Sequence, residues 1–68
     1  MKIKIGDKYR IIDNDTHTFL IGEIVMITYK YNEDLFDAKS VKDNFVQCIH
    51  CRHIQSLIND INKNITIL

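Results

Sequence analysis

The 68-residue chain has no proline, no tryptophan and only two glycines, and its nine basic and nine acidic residues cancel. Without proline, and with so little glycine, it does not read as a low-complexity linker. The missing net charge argues against nucleic-acid binding, which draws much of its affinity from phosphate neutralisation and shows a basic excess. No run of Lys or Arg exceeds one residue. No apolar run approaches the ~20 residues of a membrane span, and "MKIKIGDKYR" carries no apolar segment of the signal-peptide kind. The expectation is a soluble, cytoplasmic chain whose two cysteines are free thiols. In that setting the glycosylation triplet Asn64–Thr66 carries no weight.

Catalytic signatures are equally scarce. The chain has no glycine-rich phosphate loop and no supported Ser-His-Asp order. A domain of this size rarely encloses the pocket of several hundred Å³ that small-molecule sites require. The reading is therefore of a non-enzyme without a cofactor. Hydrophobic residues make up 46% of the chain, enough for one thin core and too many for a disordered tail.

What is present reads as short strands and close turns. Gly6-Asp7 marks a turn before a strand in which Tyr9 and Ile11 share a face. The polar cluster Asp13 to Thr18 is a loop. The β-branched and aromatic run "EIVMITYKY" follows Gly22, with Val25, Ile27 and Tyr29 alternating against Ile24, Met26 and Thr28. Asn32 to Asp34 turns into "LFDAKSV", with Phe36 and Ala38 inward. Lys42 to Asn44 then forms a tight hairpin into "FVQCIH". No crossover helix fits between these segments, so the fold class is mainly β: an antiparallel meander of about five strands, closing into a small barrel. Near the C-terminus Ile54, Leu57, Ile58 and Ile61 fall at helical spacing while "ITIL" is β-prone. A helix over roughly 55–62 followed by a short strand is expected. The domain is placed at residues 1–58, with 59–68 as an extension packed on it or at an oligomer edge.

The order of these features resembles small SH3-like β-barrels of bacteriophage proteins. A "GD.v.I" opening, an "F.iGe.v.I" second strand and a "V...dI" close are matched by Gly6, Asp7, Ile11, Phe19, Gly22, Glu23, Val25, Ile27, Phe45, Ile49 and Ile54. The match covers roughly residues 3–58, and its motifs are structural, so they speak to fold far more than to function. The "ALYDY" segment and paired Trp of proline-binding SH3 domains are missing, and proline-rich ligands are not implied. The resemblance implies a phage setting; zero charge and missing catalytic groups leave binding as the remaining mechanism, so the expected partner is a host-cytoplasmic protein such as a defence or gene-expression factor.

Three groups carry candidate chemistry. Cys48 and Cys51, with His53 and either His50 or His17 completing four ligands, would form a zinc set. Knuckles, however, normally offer a second well-spaced pair, and the thiol-exchange context of a βαβ unit is missing. The favoured reading makes Cys48 a small core side chain, with Val46 and His50 on its face. Asp13, Asp15 and His17 suggest acid–base work or a cation loop. Thr18 and Ile24 stand where a calcium loop needs Gly and Glu, so a solvated turn is expected. Tyr29, Tyr31, Phe36 and Arg52 offer amphipathic anchors of the kind enriched in binding hot spots. The expected partner surface is thus Asp13, Asp15, His17, Tyr29, Tyr31, Phe36 and Arg52. Two other readings compete with a host-protein binder: a nucleic-acid-binding barrel stacking single-stranded bases, and a homo-oligomer paired through the apolar C-terminal "NITIL".

Overall fold

The computed structural model describes residues 2–57. Five strands occupy Lys8–Ile11 (β1), Ile24–Lys30 (β2), Leu35–Ser40 (β3), Val46–His50 (β4) and Ile54–Ser56 (β5), with one 3-10 turn at Cys51–His53. They form a single antiparallel sheet in the order β4-β3-β2-β1-β5. The first four strands make the expected meander, and β5 returns to pair with β1, aligning Ile11 with Ile54. That pairing corrects the helix expected from residue 55, because Gln55 and Ser56 are strand. Residues 58–62 of that expected helix, the "NITIL" strand and the 59–68 extension lie outside the described residues. Among the described residues no helix is long and apolar enough to cross a membrane.

One cluster unites the inward side chains of all five strands. It contains Tyr9, Ile11, Val25, Ile27, Phe36, Ala38, Ile49 and Ile54, and Ile3 and Phe19 join it from outside the strands. The sheet therefore curls around a single core, as its alternating burial requires. Tyr9 and Ile11 face inward together, as do Phe36 and Ala38.

The turns follow their residues. Asn44 adopts φ 64 in the β3–β4 hairpin, where its N–H donates to the Ser40 carbonyl. Asn tolerates this left-handed conformation better than most residues. Asn32 Oδ1 accepts the N–H groups of Asp34 and Leu35, closing the β2–β3 turn.

Strand β4 reverses the expected parity. In register, Phe36 lies opposite Ile49 and Ala38 opposite Gln47. Cross-strand partners share a face, so the inward set of β3 draws Ile49 and Gln47 inward as well. Cys48 is exposed on the outer face, not in the core. One buried Ile outweighs Val and Cys in choosing the face.

Candidate functional site

A β-bulge shapes the outer face of the sheet. Ile27 pairs with Ala38, but Tyr29 pairs with Asp37, the next residue back, so the register shifts between Ile27 and Tyr29. Without the shift, strict alternation would place Tyr29 on the same inward face as Val25 and Ile27. The extra residue, Thr28, bonds its hydroxyl to the Asp37 carbonyl at 3.3 Å and re-aims Tyr29 outward, as bulges do. Tyr29 and Tyr31 are 53% and 52% exposed. They meet edge to face with ring centroids 4.8 Å apart. Tyr31 donates to Asp37 Oδ2 at 2.8 Å, and that bond raises its phenol pKa. Asp37 lies opposite Cys48 on β4, so Tyr29, Asp37 and Cys48 form a row across three strands. Partial burial, then Asp37, pushes the Cys48 thiol pKa up.

A second constellation joins the Asp13–Thr18 loop to the 3-10 turn. His53 is fully buried. Its Nδ1 accepts the His50 N–H at 2.9 Å, which leaves Nε2 to donate to Asp15 Oδ1 at 2.7 Å. His17 is held the same way: Nδ1 accepts the Phe19 N–H at 3.1 Å and Nε2 donates to the Asp13 carbonyl at 2.8 Å. The two rings pack edge to face at 4.8 Å. Burial lowers the His17 pKa, and the His53 bond holds the Asp15 carboxyl below its ordinary range. Backbone amides occupy the Nδ1 lone pairs, so neither imidazole is free to take a proton as a general base there. The arrangement staples a loop to a turn. Arg52 Nη2 joins it from the exposed side, 3.0 Å from Asp15 Oδ2.

The structure therefore divides the expected surface. Tyr29, Tyr31, Asp15 and Arg52 are exposed, but Phe36 is wholly buried and His17 nearly so. Phe36 anchors the core because it points along the same face as Ala38, and His17 is withdrawn because its ring satisfies two backbone groups. The four-residue zinc set is not assembled either. Cys48 lies on the outer face, and both ring nitrogens of His17 and His53 already hold partners.

Sequence reasoning missed one feature. An open groove of about 220 Å³ runs between the loop before β2 and the β3–β4 hairpin, flanked by Leu20, Glu23, Lys42, Phe45 and Gln47. Leu20 and Phe45 are exposed there. Gln47 Oε1 accepts from both the N–H and the hydroxyl of Thr18, while its buried Nε2 has no partner. The hint in the sequence is "FLIG", where three apolar residues precede a glycine and only Phe19 turns inward.

Comparison with family descriptions, curated proteins and solved structures returns no match to this chain.

Proposed function

We propose that this protein is a non-catalytic protein-interaction module whose partner surface is the Tyr29–Tyr31–Asp37 face. The bulge at Thr28 carries this reading. It turns an aromatic residue away from a core that alternation would have given it, and a neighbouring carboxylate then fixes its tyrosine companion. Rigid, amphipathic tyrosines lose little conformational entropy on binding and serve well as anchors. Asp37 at the centre of the face favours a partner bearing a basic or apolar segment, since aromatic faces attract cations. The same carboxylate disfavours the phosphates of a nucleic acid. The five-strand antiparallel order supports the small-barrel part of the resemblance to bacteriophage SH3-like proteins. In the phage setting which that resemblance suggests, the partner we propose is a host defence or gene-expression protein that the chain modulates or inhibits.

The test is affinity capture from nuclease-treated bacterial lysate, comparing the natural chain, a Tyr29→Ser/Tyr31→Ser variant and a Leu20→Ser control. The expected result is one stoichiometric protein held by the natural chain and the control and lost from the double variant. Equal capture by the double variant would remove the tyrosine face. Loss of all partners after nuclease would favour the nucleic-acid reading instead.

A further inference from the structure

The β2–β3 turn and the 3-10 turn place three different metal-ligand chemistries together. The Asp34 carbonyl accepts the Cys51 N–H at 2.8 Å, which fixes one turn against the other. Around that bond, Cys51 Sγ lies 3.6 Å from Asp34 Oδ1 and 3.6 Å from His50 Nδ1. All three ligand atoms are within 4.8 Å of one another. We propose that Asp34, His50 and Cys51 form a binding site for a divalent transition metal of the zinc class.

The spacing fits a tetrahedral ion. Tetrahedral zinc holds sulfur at ~2.3 Å and imidazole nitrogen or carboxylate oxygen at ~2.0–2.2 Å, which separates sulfur from either neighbour by about 3.5 Å. The two sulfur separations match that edge, so an ion can enter by small movements of the side chains. The other cluster of ligand types among the described residues, Asp13, Asp15 and His53, differs in this respect. There His53 Nε2 sits 2.7 Å from Asp15 Oδ1, a hydrogen-bond distance too short for two ligands on one tetrahedral ion, and the other ring nitrogen is occupied.

The chemistry balances. The Cys51 thiol releases its proton to solvent, His50 binds as neutral imidazole and Asp34 as carboxylate. Two negative ligands offset the dication, and a water completes the fourth position. Metal at His50 Nδ1 takes the lone pair that now accepts the Arg52 N–H at 3.2 Å, so one hydrogen bond of the turn is given up. Because the Cys51 thiol must lose its proton to bind, affinity should climb with pH. The pair Cys48 and Cys51, although spaced like a zinc knuckle, is not the ligand pair; Cys48 faces Asp37 instead.

The experiment titrates the fully reduced chain with cobalt and then zinc, reading the thiolate-to-cobalt charge-transfer band and calorimetric stoichiometry. One ion per chain is expected, with a band that Cys51→Ser abolishes and Cys48→Ser leaves intact. Asp34→Asn, on an exposed turn, should weaken zinc by at least about tenfold, the lower end of what losing even a supporting partner of a metal ligand costs. Far-UV circular dichroism of the metal-free variants establishes that they are folded. A chain showing no thiolate band, a band that survives Cys51→Ser, or one that requires Cys48 would each overturn the assignment.

Discussion

His53 and Asp15, 38 residues apart in the chain, meet through a 2.7 Å bond between a fully buried imidazole and an exposed carboxylate. The carboxylate holds the loop, and the imidazole holds the turn that introduces the last strand. His53→Ala leaves the His50 N–H without its acceptor and opens a cavity. Together these should cost roughly 2–4 kcal/mol, a large share of the stability of so short a chain. Urea denaturation of the variant against the natural chain measures it.

Acid should loosen the same region. Burial depresses the folded-state pKa of His17, so the fold prefers the neutral ring. Its contribution is fully present above the ordinary histidine value of about 6.5 and is lost as pH falls through the lower folded value. Asp15 is also depressed, chiefly by His53. Its contribution disappears in the same direction, below the ordinary carboxylate range. Urea midpoints should thus decline between neutral and mildly acidic pH, and His17→Gln should flatten the upper part of that decline.

Phe36 is among the largest fully buried side chains. Phe36→Ala should cost about 3–5 kcal/mol and leave little folded protein, which dispersion in amide NMR spectra would show. Loss of partner capture in that variant would report unfolding, not a removed contact.

Cys48→Ser should change stability by no more than about 0.5 kcal/mol, as expected of a surface position, in contrast to a core cysteine. Its thiol should react with an alkylating reagent in the native state. Because its pKa is raised, the pH profile of that reaction should be displaced upward from a free thiol's.

Asn44 tests the hairpin. At φ 64, Asn44→Gly should be neutral or slightly stabilising, whereas Asn44→Val should cost about 1–2 kcal/mol, since a side chain meets the following carbonyl in this conformation. Thermal melts of both variants decide it.

The strands and turns were legible because β-branched runs separated by Asn, Asp and Gly clusters are local signals, and Phe36, Ala38, Tyr9 and Ile11 followed alternation. Three features depended on partners far along the chain. The face of β4 was decided by its register with β3, where Ile49 meets Phe36. The outward turn of Tyr29 came from a one-residue shift against Asp37 that no residue of β2 announces by itself. Residues 55 and 56 joined β1 although their spacing suited a helix equally well, because an unpaired edge offers backbone partners. The exposure of Tyr29, Tyr31 and Arg52 was legible from their chemistry. The burial of His17 and His53 was not, since it rests on backbone amides that only the fold supplies.

The return of β5 to β1 also governs how the chain is made. β1 lies between β2 and β5, so the strand synthesised first waits for Ile54–Ser56 before its second edge is paired. A nascent chain that has emerged only as far as β4 exposes that edge, and its core lacks Ile54. Pairings between strands so distant in sequence also slow folding. Completion of the sheet therefore requires Ile54–Ser56, and a chain stalled before residue 54 presents an open β edge to chaperones and proteases.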